Sequence, residues 1–434
     1  MSNFSSLILA AGEGTRMKSK TTKVLHKICG RSMIDYVLEA IKGARIKKIA
    51  VVVNKEQDEL LSYLNNEKGL KLVFQNKALG TGDAVKSAKD FLSKAKGHVL
   101  IICADVPLIK SSTINELIER HLDTNASCTI LTAQFTDPSG FGRIVRDQFS
   151  KITKIVEEND ANSAQKQIAE INSGIYCFKT HDLLDALSYI QLNHKKKEYY
   201  LTDVIQIMYE KTRKPVETCV LENADEILGI NSRSYLAKAA QIMRLRIIEN
   251  FLDNSVTIVD PKSTFIDSGV SIGMDTTVYP FTYIESNVKI GNYCSVGPFC
   301  HLREGTVLRD GAKLGNFSEA VRSTIGKNTL CKHLSYLGDV TIGDNVNIGA
   351  GTVIANYDGK NKNKTVIKDG AFIGSDTVII APTTIGKCAV TGAGSVVIKN
   401  SKIKDKSIVV GVPARLLEKE PKISKNKPKS KKRK

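Results

Sequence analysis

Residues 265–315 read FIDSGVSIGMDTTVYPFTYIESNVKIGNYCSVGPFCHLREGTVLRDGAKLG, and this stretch repeats every six residues. An aliphatic side chain stands at each sixth position without a miss: Ile266, Ile272, Val278, Ile284, Ile290, Val296, Leu302, Leu308 and Leu314. A period of six fits neither an α-helix nor a half-buried strand. It is typical of a parallel β-helix, in which each short strand points one aliphatic side chain inward.

The hexapeptide pattern continues towards the C-terminus with interruptions. Its phase slips near residues 320 and 340, and it resumes at Ile342, Ile348 and Ile354 and, after the polar stretch 356–365, at Ile373. A long polar insertion in a solenoid is usually a loop on the binding face. We therefore predict a β-helix over residues 253–415 with a functional loop at 356–365.

The N-terminal half has a different pattern, in which short apolar runs alternate with stretches of helical spacing. Leu7–Ala10, Ile49–Val53 and Val99–Cys103 predict strands, and Ile34–Ile41 and Ile114–His121 predict helices. Such alternation favours a mainly parallel sheet that is covered on both faces. The fold class is therefore α/β, with a Rossmann-like domain at 1–230, a linker helix at 231–252 and the β-helix behind it.

Composition narrows the function classes. The chain has 434 residues and a net charge of +18, of which residues 419–434 carry nine basic residues against one acid. We expect 416–434 to be a solvated basic tail, with weak RNA contact as the alternative; no aromatic residue is present there for base stacking. No apolar run approaches the ~20 residues of a membrane span, and no signal peptide is expected. Nine cysteines without a C-x-x-C pair predict a reducing, cytoplasmic location.

A candidate phosphate site lies near the N-terminus. The first strand leads into Gly12 and Gly14, and Arg16 and Lys23 follow on the same segment. Glycines let backbone N–H groups approach phosphate closely, and the two cations add positive charge. Asp105 closes the strand VLIICAD, at the edge where ligands bind in open α/β sheets, so it is a candidate Mg²⁺ ligand.

These residues belong to a longer set of motifs that follow one another in order: LAAGEGTRM (9–17), QNKALGTGDA (75–84), ADVPLI (104–109), DPSGFGRIV (137–145), IVEENDA (155–161), INSGIY (171–176), EYYLTD (198–203) and GIN (229–231). Together with the hexapeptide half, they resemble the family of bifunctional N-acetylglucosamine-1-phosphate uridyltransferases/glucosamine-1-phosphate acetyltransferases. The resemblance covers nearly the whole chain except the tail. It implies UTP and acetyl-CoA as donors, Mg²⁺ as cofactor, and a left-handed β-helix that assembles as a homotrimer.

The resemblance also implies roles for individual residues of the N-terminal half. The attack of a sugar-1-phosphate oxygen on UTP needs positioning and charge neutralisation, which Arg16 and Lys23 would supply. Asp105 and Asn231 would hold Mg²⁺. The nucleotide and sugar would be bound by Leu9, Ala10, Ala11, Gly12, Lys23, Gln75, Gly80, Thr81, Asp105, Gly140, Glu157, Asn172 and Asn231.

In the C-terminal half the resemblance implies acetyl transfer to an amine. His333 would be the general base, and Glu319 would orient it. Arg303, Tyr336, Asn347, Asn356 and Tyr357 would contact the acceptor sugar or the acyl group. Ala350, Ser375 and Ala393 would line the acetyl-CoA groove.

Three positions depart from the family pattern in this half. The family's phosphate-binding lysine falls on Val321, its Ala-Gly before the histidine falls on Cys331-Lys332, and its arginine over the CoA phosphates falls on Gly411. Arg322, Lys332 and Arg415 are candidate replacements for the missing charges. A uridyltransferase whose β-helix is only a scaffold, or uses another acyl donor, therefore stays open as the alternative.

Overall fold

A computed structural model describes residues 3–193 and 197–417 of the chain. The chain divides between Met243 and Arg244 into two compact units. The division falls inside the helix Arg233–Asp253, which occupies the place of the predicted linker helix. Most of the basic tail, from residue 418 onward, lies outside the described residues.

The N-terminal unit is built on one nine-stranded sheet and a small hairpin. Its strands are β1 Phe4–Leu9, β2 Lys27–Ile28, β3 Arg31–Ser32, β4 Lys48–Asn54, β5 Leu70–Gln75, β6 His98–Cys103, β7 Cys128–Gln134, β8 Gly142–Arg146, β9 Ile152–Val156, β10 Glu170–Lys179 and β11 Val216–Leu221. The helices along the chain are α1 Met33–Gly43, α2 Asp58–Asn65, α3 Thr81–Ser87, α4 Lys89–Lys94, α5 Ser111–Asp123, α6 Ser163–Lys166, α7 Thr180–Leu187, α8 Asp203–Ile207 and α9 Arg233–Asp253.

Seven of the nine strands of the main sheet follow the order β11-β7-β10-β6-β1-β4-β5. Along this order, β10 alone runs antiparallel to its neighbours. Successive residues of β1 enter different cores: Leu7 packs into one buried cluster and Ile8 into the other. Because strand side chains alternate between faces, this split shows that both faces of the sheet are covered. The predicted α/β architecture is confirmed.

The C-terminal unit is a parallel β-helix with three faces. Face 1 holds β12 Thr257–Ile258, β15 Thr277–Val278, β18 Ser295–Val296, β21 Lys313–Asn316, β24 Leu330–His333, β27 Asn347–Ile348, β30 Phe372–Ile373, β33 Val390–Thr391, β36 Ile408–Val410 and, antiparallel to it, β37 Arg415–Leu416. Face 2 holds β13 Phe265–Ile266, β16 Tyr283–Ile284, β19 His301–Leu302, β22 Glu319–Val321, β25 Tyr336–Gly338, β28 Val353–Ala355, β31 Val378–Ile380 and β34 Val396–Val397. Face 3 holds β14 Ser271–Ile272, β17 Lys289–Ile290, β20 Val307–Leu308, β23 Thr324–Ile325, β26 Val340–Ile342, β29 Thr365–Ile367, β32 Thr383–Ile385 and β35 Lys402–Ile403.

The hexapeptide positions form the core of this β-helix. Eight of the nine predicted aliphatic residues are at least 95% buried, and Ile272 is partly buried near the first coil. The two phase slips are single-residue deletions at corners, because Leu308 pairs with Ile325 across the first slip and Ile325 pairs with Ile342 across the second, each 17 residues apart instead of 18. Stacking therefore continues through the slips without a break in the ladder.

The polar stretch 356–365 is an excursion between β28 and β29. Its turn is organised by Asp358, whose carboxylate accepts hydrogen bonds from Lys360 N, Asn361 N and Asn363 Nδ2. These hydrogen bonds lower the pKa of Asp358 to about 2. Among all the helices in the described part of the chain, none is long and apolar enough to cross a membrane.

Candidate functional sites

A cavity of about 750 Å³ opens at the carboxyl ends of β1 and β6. Parallel strands that are buried on both faces leave their ends as the accessible part of the sheet, which is where ligands bind in such folds. The cavity brings together most of the predicted nucleotide and sugar residues: Leu9, Ala10, Ala11, Gly12, Arg16, Lys23, Gln75, Gly80, Thr81, Asp105, Gly140 and Glu157.

Lys23 lines this cavity and contacts two polar side chains. Its ammonium group contacts the carboxylate of Asp105 and lies 3.0 Å from Asn231 Oδ1. Two oxygens from distant parts of the chain therefore converge on one cation. Carboxylate and amide oxygens suit Mg²⁺, which usually keeps several ligands from phosphate and water. The residues fit that ion, although no cluster of three or more His, Cys, Asp or Glu occurs in the described ranges.

The loop that carries Arg16 depends on Gly14. This glycine has φ +64°, and a Cβ built on it would lie 2.7 Å from Lys23 Cβ. A side chain at position 14 would thus be strained and would push Lys23 away from Asp105. Gly12 has open space beside it, so its lack of a side chain keeps the cavity accessible.

The side of the cavity that is predicted to bind the sugar contains a half-buried carboxylate, Glu157. Burial raises the pKa of Glu157, while a hydrogen bond from Thr202 Oγ1, at 3.1 Å, opposes the shift. Asn172 does not line the cavity; its Oδ1 accepts a hydrogen bond from Gly174 N at 3.2 Å. Asn172 is nevertheless near Glu157, because its Cβ and Glu157 Oε2 lie 3.5 and 3.6 Å from the same point, where a Cβ on Gly142 would stand.

Sequence reasoning did not assign a role to several lining residues, among them Glu198 and Tyr200. The segment that carries them is attached to the Gly-rich turn, since Gly82 N donates to Tyr199 O at 2.7 Å. No periodicity marks this irregular segment. The motif EYYLTD was the only signal that could have indicated it.

The proposed acetyltransferase residues lie on the β-helix. His333 ends β24 on face 1 and is exposed. Its Nδ1 lies 2.9 Å from Asn316 Oδ1 on the preceding coil. Because a carbonyl oxygen can only accept, Nδ1 carries the proton and Nε2 is left as the basic nitrogen.

The residues predicted to bind acetyl-CoA extend the same column. Asn316 pairs with His333 in register, and Leu334 and Gly351 are joined by a backbone hydrogen bond at the next step. Asp376 N donates to Ala350 O, and Gly394 N donates to Ser375 O, at 2.7 and 2.8 Å. One residue per coil therefore occupies the same corner, in the order Asn316, His333, Ala350, Ser375 and Ala393.

The structure pairs Glu319 with a residue other than His333. Glu319 Oε1 accepts from Arg303 Nη1 at 3.1 Å on face 2, whereas the hydrogen-bond partner of His333 is Asn316 on face 1. Within the described ranges no hydrogen bond or ion pair joins Glu319 to His333, so no contact there supports the predicted orienting role. Sequence reasoning missed Asn316 because its pairing spans 17 residues, which only the coil lengths reveal.

The remaining residues that are predicted to contact the acceptor sugar or the acyl group also lie on the β-helix. Tyr336 follows Glu319 in register on face 2, and its ring fits against Gly338, where a Cβ would lie 2.8 Å from the tyrosine oxygen. Asn356 is buried and donates to Asp339, whereas Tyr357 is exposed on the inserted loop. Asn347 begins β27, in register with Leu330.

The structure shows the surroundings of the positions at which this chain departs from the family's expected phosphate-binding residues. Val321 is buried, and Arg322 forms a two-pronged ion pair with Asp339, with both N···O distances 2.7 Å. This pairing lowers the pKa of Asp339. Arg322 is therefore already neutralised, while Lys332 and Arg415 are exposed.

Comparison with known proteins identifies both halves. The family described as "Nucleotidyl transferase" matches residues 5–226, and the family described as "Bacterial transferase hexapeptide (six repeats)" matches residues 263–304. A solved structure titled as a putative glucose-1-phosphate thymidylyltransferase from Bacillus anthracis covers 55% of this chain and 94% of its own, with 20% identity and a TM-score of 0.46.

Curated relatives match over nearly their whole length. Proteins named "Bifunctional protein GlmU" are similar to this chain in Geobacillus sp., with 40% identity over 90% of this chain and 92% of the relative, and in Lactococcus lactis subsp. lactis, with 43% identity over 93% and 94%. The relative from Carboxydothermus hydrogenoformans is 41% identical over 90% of this chain and 94% of its own.

Proposed function

The chain belongs to the GlmU family of bifunctional proteins, and we propose on that basis that its two sites make UDP-N-acetylglucosamine in two steps. The C-terminal unit transfers the acetyl group of acetyl-CoA to glucosamine-1-phosphate. The N-terminal unit then transfers the uridyl group of UTP to N-acetylglucosamine-1-phosphate and releases pyrophosphate. The convergence of Lys23, Asp105 and Asn231 at the end of the sheet is the observation that most directly supports the second step.

In the uridyl transfer, a phosphate oxygen of the sugar phosphate attacks the α-phosphorus of UTP. The bond between that phosphorus and the bridging oxygen breaks, and pyrophosphate leaves. The attacking oxygen is already ionised, so the site needs no general base. Arg16 and Lys23 offset the negative charge that collects on the phosphates, which is the main electrostatic requirement of phosphoryl transfer.

Mg²⁺ fits the same end of the cavity. Asp105 and Asn231 would hold it by their side-chain oxygens, and it would supply charge neutralisation of the phosphates. In that arrangement the Lys23 ammonium would be free to contact a phosphate oxygen, as its flexible four-carbon stem allows.

In the acetyl transfer, the amine of glucosamine-1-phosphate attacks the thioester carbonyl, and CoA leaves as its thiolate. Nε2 of His333 takes the proton that the amine must lose. Asn316 holds the ring by Nδ1, so the basic nitrogen Nε2 is on the side of the ring away from Asn316. Ala350, Ser375 and Ala393 continue the column and are small enough to let a pantetheine chain lie along it.

We also propose that the chain works as a homotrimer in the cytoplasm. The corner beside His333 carries an exposed aromatic stack, in which the rings of Phe281, Phe299 and Phe317 lie 4.8 and 5.1 Å apart. Each of these side chains is about half exposed in the single chain. An exposed apolar column of this kind is a surface that a neighbouring subunit would cover.

The test uses two variants in a crossed design. His333→Ala should abolish acetyl transfer from acetyl-CoA and leave pyrophosphate release from UTP intact. Asp105→Asn should do the reverse. A wild type that transfers uridyl but no acetyl group, with any acyl-CoA tried, would instead establish the scaffold alternative. Loss of both activities in either variant would contradict the assignment to separate sites.

A further inference from the structure

Gln75 is held in one orientation inside the N-terminal cavity. It ends β5, is 3% exposed and lines the cavity. Its Nε2 donates to Asp83 Oδ2 at 2.8 Å and to Gly80 O at 3.1 Å. Carboxylate and carbonyl oxygens only accept, so both amide N–H groups are used. Among the described residues no donor is paired with the side-chain oxygen Oε1, which is left as an acceptor.

Asp83 itself does not line the cavity. It lies in the first turn of α3, where its carboxylate contacts the Gln75 amide, and is partly buried. The opposite anchor is also held, because Gly80 O accepts a second hydrogen bond, from Ala84 N at 3.1 Å, at the start of α3. The backbone carbonyl of Gly80 therefore cannot shift to follow a rotated amide.

We propose that Asp83 is a positioning residue that sets the base selectivity of the nucleotide site. By fixing the Gln75 amide with Oε1 towards the cavity, it selects a base that presents an imide N–H over one that presents a bare ring nitrogen. The inference rests on the proposed function, in which this cavity binds UTP.

The chemistry of the two pyrimidines explains the selection. Uracil carries a hydrogen on N3 and can donate to Oε1. Cytosine has a lone pair on N3, which would face the lone pairs of Oε1. Accepting cytosine would require the amide to turn over, which would place an oxygen against the Asp83 carboxylate and lose a charge-assisted hydrogen bond. A site with fixed polar groups rejects a ligand that leaves them unpaired.

The two ends of an amide are nearly equal in size, so shape alone cannot fix Gln75. Without Asp83, only Gly80 O distinguishes the two orientations. We therefore expect the Asp83→Ala enzyme to lose about 10-fold or more of its preference for UTP over CTP, in line with the loss of one hydrogen bond to a charged group.

The experiment measures kcat/KM for UTP and for CTP by pyrophosphate release. Asp83→Ala should lower the UTP to CTP ratio, and Asp83→Asn, which keeps an acceptor oxygen, should lie between it and the wild type. Asp90→Ala is the matched control, since Asp90 is an exposed carboxylate in the first turn of the next helix, α4. This control should keep the wild-type ratio.

A double-mutant cycle shows whether Asp83 acts through Gln75. Gln75→Ala should itself lower the ratio, and adding Asp83→Ala to it should cause no further change. An equal loss for both nucleotides in Asp83→Ala, an unchanged ratio, or a further fall in the double variant would each overturn the inference while leaving uridyl transfer established. A wild type that turns over no UTP would overturn the proposed function and the inference with it.

Discussion

Substitution of Asn316 tests whether this residue orients His333. The structure gives one hydrogen bond of 2.9 Å between the two side chains, on an exposed corner of the β-helix. A hydrogen bond between neutral groups contributes about 0.5–1.5 kcal/mol net, which corresponds to about a 2- to 13-fold effect on a rate. Asn316→Ala should therefore lower kcat for acetyl transfer by about that factor. His333→Ala, which removes the base, should cost about 10²- to 10⁴-fold.

Asn316→Asp separates orientation from simple packing. A carboxylate at this position accepts the same hydrogen bond, so the rate at high pH should be kept. It also favours the protonated imidazole, so the pH profile of acetyl transfer should move to higher pH. Acetyl transfer would be followed by release of the CoA thiol, with pyrophosphate release from UTP as the control for folding. Equal losses of both activities in Asn316→Ala, or an unmoved pH profile in Asn316→Asp, would refute the orienting role.

Two further predictions concern buried groups of the N-terminal unit. His121 donates to or accepts from His98 and Thr129, at 3.0 and 2.9 Å, and burial, with His98 and Lys179 nearby, lowers its pKa from 6.5 to about 4. The unfolded chain therefore takes up the proton first as the pH falls from 6.5 to 4. The free energy of unfolding of the unit should fall by about 2 kcal/mol between pH 7.5 and 5.0. Hydrogen exchange of the β6 and β7 amides measures this loss, which His121→Asn should largely remove. Burial raises the pKa of the Cys103 thiol from 9.0 to about 12, so its thiolate fraction at pH 8 falls about 1,000-fold. Its position beside the cavity suggests thiol sensitivity, but we expect iodoacetamide to modify the exposed Cys388 first and to leave uridyl transfer intact; peptide mass mapping after alkylation would show whether Cys103 reacts equally fast.

The β-helix could be predicted because its physics is local. Each coil buries one aliphatic side chain per face, so the sequence must carry an aliphatic residue every six positions. The pattern located the core from Ile266 to Leu314 and also the two slips near 320 and 340. It did not show that the slips are shortened corners, because that conclusion depends on which coil pairs with which.

The same distinction between local pattern and distant pairing applies to the candidate functional residues. Lys23 and Asp105 could be predicted to meet, because both follow strands whose carboxyl ends share one edge of the sheet. The pairing of Asn316 with His333, and of Asp83 with Gln75, could not. Each depends on side-chain hydrogen bonds between segments whose spacing carries no periodic signal. Tyr200 was missed for the same reason, since it lies on an irregular segment.

The geometry also explains why the replaced phosphate residues need not prevent acetyl transfer. The reactive column from Asn316 through His333 to Ala393 lies at the corner that follows face 1. Val321 lies at the end of β22 on face 2, and Gly411 follows β36 at the far end of the column, one coil beyond Ala393. A lost contact to a distant phosphate weakens the binding of the substrate and of the transition state by the same amount. The loss therefore raises KM and leaves kcat nearly unchanged. The departures should therefore set how tightly glucosamine-1-phosphate and acetyl-CoA bind, while the rate of the chemical step depends on His333 and Asn316.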